Sequence, residues 1–173
     1  MNTIRSSTQD LHTELESLQF NKNMFDGSQT PYERANLIHS NIQIFSILDA
    51  HVPKDFQREW LLQHDFASLE NLLLPYEWPI KTLPSTTAYT TYLTNITENL
   101  NAHIYLNFMG FMYGGQIMKK LYPESSSFYN FAELPSKIKY IRENIVTDTP
   151  EFIQEVRIGF KFHHLISKEL QNL

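Results

Sequence analysis

The stretch Ala102-His-Ile-Tyr-Leu-Asn-Phe-Met-Gly-Phe-Met-Tyr-Gly-Gly-Gln-Ile-Met-Lys-Lys120 carries three of the five glycines in this 173-residue chain. Gly110, Gly114 and Gly115 fall in a run that is otherwise apolar and helical in pattern. An interior glycine costs a helix about 1 kcal/mol relative to alanine, so the cluster needs a compensating benefit. Backbone without Cβ atoms can lie directly against a flat partner or bend away from it. Gly110 and Gly114 are spaced i, i+4, so both gaps face one side of the helix.

The residues around the glycines leave two explanations open. The cluster is neither a phosphate-binding loop nor a Rossmann fingerprint, because the required lysine and glycine spacings are missing. The polarity of the flanking residues excludes a transmembrane packing motif. Two explanations remain. One is close helix–helix packing, which is the commoner reason for glycine clusters, and the other is close approach to a planar ligand. Met109, Phe111, Met112 and Tyr113 would give either partner an apolar, aromatic wall.

The composition is that of an ordinary globular protein and excludes several functional classes. Hydrophobic residues make up 42% of the chain and charged residues 19%, which suits one domain with a sizeable core. The net charge of -5 disfavours a nucleic-acid partner. The absence of cysteine removes disulfides, thiolate metal sites and cysteine nucleophiles. Because neither a signal peptide nor a transmembrane helix is predicted, we expect a cytoplasmic protein without a membrane partner.

Helical periodicity dominates the rest of the chain and predicts an all-α, single-domain bundle over residues 1–173, with ligands bound between helices. Leu11, Leu15 and Leu18 predict a first helix capped by Ser6, Ser7 or Thr8, followed by a turn at Gly27. The further predicted helices cover residues 31 to about 52, 54–64, 66–74, 86–98, 101–121, 136–144 and 150–171, where 86–98 and 101–121 are either two helices or one bent helix. The predicted loops lie at Pro75, Pro79 and Pro84 and at residues 123–130.

His12 and Glu16 are the first candidates for chemistry. They are four residues apart and therefore share a helix face, and His12 adjoins Leu11 at the edge of the apolar stripe. A carboxylate at that spacing can orient a metal-ligating imidazole and raise its basicity. From the spacing alone, a surface pair that contributes a few tenths of a kcal/mol, roughly 0.3, is the more common case.

Taken together, the two features resemble the heme oxygenase family. Residues 11–49, with His12-Thr13-x-x-Glu16 and Phe20…Gly27, are similar to the family's proximal helix and the helix that follows it. The stretch Ala102-His103-x-Tyr105…Gly110-x-x-x-Gly114-Gly115-Gln116-x-x-Lys119-Lys120 is similar to its distal helix. Glu155…Phe160…His163…Glu169-Leu170 aligns more weakly with its last helix. The resemblance implies a heme oxygenase-like bundle with a distal helix kinked at the glycines.

The resemblance also implies a role for each candidate residue. His12 would be the proximal ligand of the heme iron, and Glu16 would orient it. Gly110 and Gly114 would let the distal backbone lie over the heme and leave room for dioxygen. The residues that match the family's propionate contacts are Arg5, Tyr105, Lys139 and Arg142, with Lys137 as an alternative in the same basic cluster. Phe160 matches an aromatic residue of the heme pocket.

The activity implied by the resemblance is oxidative cleavage of heme b, which is both cofactor and substrate. Dioxygen and electrons from an external reductase or ferredoxin would convert it to biliverdin, carbon monoxide and ferrous iron. A monomer is expected.

Phe111 is the one departure from the family pattern that bears on catalysis. Family members of the animal and cyanobacterial type carry an aspartate there, which holds a proton-donating water network, and a phenyl ring cannot hydrogen-bond water. Either Tyr105, Asn107, His103 or backbone groups build that network, or turnover is impaired. The alternative is therefore a non-catalytic heme-binding or heme-sensing protein of the same fold. A helical relative that binds no heme, such as a thiamin-degrading enzyme or an interaction module, would not need the pair of His12 and Glu16.

Overall fold

The computed structural model describes residues 2–74 and 79–173, so the loop predicted at Pro75 lies outside the described residues. Within them all regular structure is helical, and the all-α prediction is confirmed. The α-helices are α1 (Asn2–Ser17), α2 (Gln19–Asp26), α3 (Pro31–Leu48), α4 (Glu59–Leu73), α5 (Pro84–Asn95), α6 (Leu100–Tyr113), α7 (Gly115–Leu121), α8 (Leu134–Asn144) and α9 (Pro150–Leu170). Short 3-10 turns lie at Asp49–His51, Lys54–Phe56, Pro123–Ser125 and Ser127–Tyr129.

The N-terminal helix differs at both ends from the helix that the leucine periodicity predicts. Because α1 begins at Asn2, the predicted capping by Ser6, Ser7 or Thr8 is wrong. Thr8 instead lies inside the helix, where its hydroxyl donates to the Ile4 carbonyl at 2.8 Å. Leu18 has an extended backbone and separates α1 from α2. The predicted turn follows α2 at Gly27, whose φ of 82° lies in the left-handed region that glycine adopts without strain.

The two helices predicted over residues 54–64 and 66–74 are wrong, because the structure has a single helix, α4, preceded by a 3-10 turn. Asp49, which lies in the 3-10 turn after α3, caps the start of α4. Its Oδ2 accepts hydrogen bonds from the backbone N–H groups of Arg58 at 2.8 Å and Glu59 at 2.7 Å. The Arg58 guanidinium then donates to the carbonyls of Phe128 at 3.3 Å and Asn130 at 2.6 Å. The 3-10 turns before α8 are thereby held against the start of α4.

Two apolar clusters hold the helices together. The larger cluster joins α3, α4, α5 and α6 to the turn at Ser127–Tyr129, and its buried members include Phe45, Leu62, Leu69, Phe108, Met112 and Phe128. The smaller cluster joins α1, α6 and α9 through Ile4, Ala102, Phe152, Val156 and Phe160. Both α1 and α6 pack against α9, which is therefore the support on which these two helices lie.

A two-point ion pair strengthens the contact of α1 with α9. Arg157 donates to both carboxylate oxygens of Asp10, at 2.8 and 2.9 Å, and to the Ser7 carbonyl. The hydrogen bond from Arg157 lowers the pKa of Asp10 to about 2. The contribution of this pair to stability is complete above the ordinary aspartate pKa of 3.8 and is lost as the pH falls towards 2.

Close packing explains two of the three clustered glycines. A Cβ on Gly115 would contact the ring of Tyr129, with Cγ only 2.9 Å away. A Cβ on Gly114 would lie 3.1 Å from the Gly110 carbonyl oxygen and 4.0 Å from the ring of Phe25. A Cβ on Gly110 would meet no atom within 4 Å. The division between α6 and α7 falls at Gly114, but the fold gives no packing reason for Gly110.

This difference predicts opposite effects of the same substitution at two neighbouring positions. We expect Gly115→Ala to destabilise the protein by about 1–3 kcal/mol, because the new methyl group forces Tyr129 out of its place in the larger cluster. Gly110→Ala should leave the free energy of unfolding unchanged or raise it by up to ~1 kcal/mol, since alanine favours the helix and meets no neighbour. Urea unfolding of the ligand-free proteins measures both effects. Equal destabilisation by the two variants would contradict this account of the packing.

Candidate functional site

His12 and Glu16 form the expected pair on α1. His12 Nδ1 lies 3.5 Å from Glu16 Oε2, and about half of each side chain is exposed (49% and 52%). The imidazole also meets the ring of Phe160 edge-on, with centroids 5.9 Å apart. Because Nδ1 faces the carboxylate, Nε2 is the ring nitrogen left to coordinate a metal.

Gly110 presents exposed backbone and open space on α6. Its helix shares the smaller apolar cluster with α1: Leu11 and Leu15 of α1 and Tyr105 of α6 pack against the cluster that includes Phe160 of α9. The helix with the half-exposed histidine and the helix with the unexplained glycine therefore lie on one apolar support. Such an arrangement suits a flat apolar ligand with a metal at its centre.

Arg5 of α1 and Arg142 of α8 both act electrostatically on Tyr105 of α6. Burial raises the pKa of Tyr105, the phenol of Tyr113 raises it further, and the guanidinium groups of Arg142 and Arg5 oppose both effects. Both arginines are thus close enough to act on the phenol electrostatically. Arg142 also donates to the Tyr113 hydroxyl at 2.6 Å. The two exposed guanidinium groups place positive charge at this edge of the apolar support, where they can pair with carboxylates.

The two lysines of the basic cluster in α8 are placed differently. Lys137 is buried, where its ammonium group donates to the Ala132 carbonyl at 2.6 Å and lies 3.1 Å from Asp55. Lys139 is exposed and pairs with Glu143 at 3.8 Å. Lys137 is therefore engaged in holding α8 to the turn before α4. Arg142 is the basic residue of α8 that acts electrostatically on Tyr105.

Phe111 packs on the side of α6 that faces α3. Its ring stacks on Phe45 with centroids 4.6 Å apart and an interplanar angle of 17°. It also contacts Phe128 and Tyr129, with centroids at 5.0 and 5.4 Å. Phe111 is thus part of the larger apolar cluster and supplies no polar atom to the glycine face.

A chain of hydrogen bonds that the sequence analysis did not assemble links α5, α6 and α9. His103 Nε2 lies 2.9 Å from Glu155 Oε2, and His103 Nδ1 lies 2.9 Å from the Tyr89 hydroxyl. Asn107 donates from Nδ2 to that hydroxyl at 3.1 Å, and its Oδ1 lies 2.8 Å from His163 Nε2. Tyr89, His103 and Asn107 are buried, while Glu155 and His163 at the two ends are partly exposed. We name these five residues the polar chain.

Burial determines the charge of the polar chain. It lowers the pKa of His103, against the opposing effect of the hydrogen bond that His103 donates to Glu155, and it raises the pKa of Tyr89. It also lowers the pKa of His163 to about 4, and His103 adds to that effect. Both imidazoles are therefore neutral at pH 7.

Sequence reasoning missed Tyr89, Glu155 and His163 as members of one site. The usable signal is the spacing of polar residues within two otherwise apolar helices. His103 and Asn107 are spaced i, i+4 on α6, and Glu155, Gly159 and His163 repeat that spacing on α9. That signal becomes specific only when the two helices are known to face each other.

A family model for heme oxygenase matches residues 1–157. The chain belongs to the heme oxygenase family. Heme oxygenase 1 of Bos taurus is 24% identical over an alignment of 204 residues that covers 98% of this chain and 71% of the bovine protein. Heme oxygenase 1 of Homo sapiens is 23% identical with the same coverage of both chains.

Solved heme oxygenase structures share the fold. The crystal structure of heme oxygenase-1 from the cyanobacterium Synechocystis sp. PCC6803 in complex with heme superposes with a TM-score of 0.83 at 17% identity, covering 99% of this chain and 91% of that one. The heme oxygenase of Leptospira interrogans gives a TM-score of 0.82 at 18% identity, covering 97% and 98%. The all-helical, heme oxygenase-like fold is therefore confirmed.

Two further properties of this heme oxygenase family member bear on its ligands. In residues 2–74 and 79–173, no group of three or more histidine, aspartate or glutamate side chains could hold a metal ion. Among the same residues, no helix is long and apolar enough to cross a membrane.

The lowered pKa of His163 predicts a pH dependence of stability. Above about pH 6.5, His163 is neutral in both the folded and the unfolded chain. Between pH 6.5 and about 4, the unfolded chain takes up the proton and the folded chain does not, so stability falls as the pH falls. We expect the urea midpoint to drop from about pH 7 to about pH 5, and to drop less in His163→Gln, which keeps the amide contact but does not titrate. An equal drop in both proteins would show that His163 is not held neutral.

Proposed function

We propose that this protein is an active heme oxygenase that binds one b-type heme between α1 and α6. Dioxygen and electrons from an external reductase or ferredoxin would convert the heme to biliverdin, carbon monoxide and ferrous iron. Membership of the heme oxygenase family supports heme binding and heme degradation as the starting point. We further propose that residues 1–173 act as one cytoplasmic, monomeric domain.

The observation that carries this proposal is the open space at Gly110. Gly115 and Gly114 have packing partners that account for the absence of a side chain, and Gly110 has none. A glycine that costs the helix about 1 kcal/mol and touches nothing is best explained by a ligand that approaches its backbone. The glycine lies on the same apolar support as a half-exposed histidine that is oriented by a carboxylate.

The residues present fit heme. His12 would hold the iron through Nε2, and Glu16 would fix the ring orientation through Nδ1. Phe160 supports the imidazole from α9. Arg5 and Arg142 would hold the propionates beside Tyr105, and Lys139 remains a further candidate on the exposed side of α8.

When bound, heme supplies both the iron at which dioxygen is activated and the ring carbon that is oxidised. The chain's own part is binding, orientation and space. Gly110 and Gly114 keep side chains away from the distal face, and Phe111 stays in the larger apolar cluster instead of entering that space. The apolar support under α1 and α6 would hold the macrocycle, and the charged edge with Arg5 and Arg142 would orient it.

Phe111 favours a second candidate function, a heme-binding protein without turnover. Its ring offers no hydrogen bond to water, and it is stacked on Phe45 in the larger apolar cluster. Such a protein would bind heme with the same histidine and form no bilin.

Titration with hemin, followed by reduction under oxygen, distinguishes these functions. We expect a Soret band of a histidine-ligated heme that is lost or strongly weakened in His12→Ala. His64→Ala is the matched control, because His64 is an exposed histidine on α4, away from the α1–α9 contact. With ascorbate or a reductase, the wild type should form a bilin, detected by its red absorption. A Soret band without bilin would favour the second candidate, and no heme binding at micromolar concentration would exclude both.

Gly110→Ala tests the argument from open space directly. In the ligand-free protein this variant should be as stable as the wild type or more so. If the space at Gly110 accommodates a ligand, the affinity of the Gly110→Ala variant for heme should fall about fivefold or more, which corresponds to a penalty of ~1 kcal/mol. Unchanged affinity, spectrum and bilin yield would mean that the open space at Gly110 is not where heme lies.

A further inference from the structure

We propose that Tyr113 and Arg142 form a two-donor clamp for a carboxylate at the edge of a flat ligand. In this clamp Arg142 supplies the positive charge, and the Tyr113 hydroxyl both orients that charge and donates a second hydrogen bond. The ligand class is an apolar macrocycle that carries carboxylates on its rim. The clamp deepens the proposed function and rests on it, since the proposed function brings such a ligand to the glycine face of α6.

A short hydrogen bond joins the ends of two helices. Tyr113 is the last residue of α6, and Arg142 lies in the last turn of α8. The Arg142 guanidinium donates to the Tyr113 hydroxyl at 2.6 Å. Tyr113 is 50% exposed, and Arg142 is exposed as well. The pair therefore lies at the surface, where an incoming ligand can reach both groups.

Arg142 differs from the two lysines of α8 in the charge of its partner. Both lysines pair with carboxylates, at 3.1 and 3.8 Å. Among the described residues, the hydrogen bond that the structure gives the Arg142 side chain goes to a phenol, which carries no charge. A carboxylate partner would neutralise the guanidinium and compete with a ligand for it. The phenol holds the guanidinium in place and leaves its positive charge available.

The hydrogen bond between the two side chains leaves donors on both of them. A guanidinium has five N–H groups, and the bond to Tyr113 uses one of them. The phenol oxygen accepts that bond, so its own O–H remains to donate. Because the bond comes from a cation, it polarises the phenol and strengthens the hydrogen bond that the O–H can make. An N–H of Arg142 and the O–H of Tyr113 can thus donate to the two oxygens of one carboxylate.

Tyr113 lies around α6 between the open glycine and the partly buried Tyr105. At about 100° per residue, Tyr113 projects roughly 60° from Gly110 and roughly 80° from Tyr105. A Cβ on Gly110 would meet no atom within 4 Å. The charges of Arg5 and Arg142 act electrostatically on Tyr105, and the phenol of residue 113 does so as well. The clamp therefore lies where the open space of α6 meets the positive charge from α1 and α8.

Nitrogen-15 NMR of arginine-labelled, ligand-free protein tests the contact between the two side chains. We expect the guanidinium of Arg142 to rotate slowly about its carbon–nitrogen bonds, because Tyr113 holds one of its N–H groups. In Tyr113→Phe, the signals of Arg142 should become those of a freely rotating arginine. Signals of Arg142 that are already averaged by rotation in the wild type would overturn the proposal.

Three porphyrins separate the carboxylates of the ligand from its iron. Hemin carries both, protoporphyrin IX carries the carboxylates without iron, and the dimethyl ester of hemin carries iron without charged carboxylates. We expect Tyr113→Phe to lower the affinity for hemin and protoporphyrin IX about fivefold or more, because it removes a hydrogen bond to a charged group. The affinity for the ester should stay that of the wild type. Titrations followed by absorbance and fluorescence measure all three affinities.

Tyr140→Phe is the matched control for the loss of a phenol hydroxyl. The ring of Tyr140 packs on Phe56 in the larger apolar cluster, so this variant should bind the three porphyrins as the wild type does. His12→Ala should give a different pattern from Tyr113→Phe, since it should weaken the binding of hemin and its ester and leave that of iron-free protoporphyrin IX unchanged.

A double-mutant cycle tests whether Tyr113 and Arg142 act on the same carboxylate. In Tyr113→Phe/Arg142→Gln, the fold-change in hemin affinity should be smaller than the product of the two single fold-changes, because each single variant already disrupts the clamp. A double variant whose fold-change equals that product would show that the two residues act independently, and the clamp would be refuted.

The outcomes separate the clamp from the proposed function. If hemin binds but no bilin forms, the proposed function fails, and the porphyrin titrations still decide the clamp. If bilin forms and Tyr113→Phe binds hemin as tightly as the wild type, the clamp is refuted and the proposed function stands. If Tyr113→Phe weakens the binding of the ester as much as that of hemin, or if only Tyr113→Ala lowers the affinity, the ring is an apolar wall and the proposal is wrong.

Discussion

The contact between α6 and α9 is the interaction on which the rest of the structure depends. Gly159 lets the two helices approach until hydrogen bonds of 2.8 and 2.9 Å form on either side of it. Each of these bonds involves at least one buried side chain, and breaking one leaves an unsatisfied polar group that costs about 1–3 kcal/mol. The contact therefore fixes the rotation of α6 about its axis, and with it the side on which Gly110 lies.

The same α9 that orients the glycine helix also holds the histidine helix. The ion pair of Asp10 and Arg157, together with the apolar cluster around Phe160, fixes α1 to α9. His12 and Gly110 thus owe their relative position to a third element and not to each other.

Local sequence spacing predicts the parts of the site that lie within one helix. The pair of His12 and Glu16 and the cluster of glycines are both readable in this way, and both are found on the helices expected for them. The cap of α4 by Asp49 and the polar chain from Glu155 to His163 are not readable, because each joins residues whose proximity is created by folding. The sequence shows that Phe111 lacks a polar atom, but only the structure shows its ring stacked on Phe45.

The three clustered glycines and Phe111 then fit one physical account. Cβ atoms on Gly115 and Gly114 would meet neighbouring atoms, a Cβ on Gly110 would meet none, and Phe111 anchors α6 to α3 through aromatic stacking. The side chain of Phe111 is partly buried, and its ring packs against Phe45, Phe128 and Tyr129. A phenyl ring at position 111 therefore supplies no polar atom to the glycine face of α6.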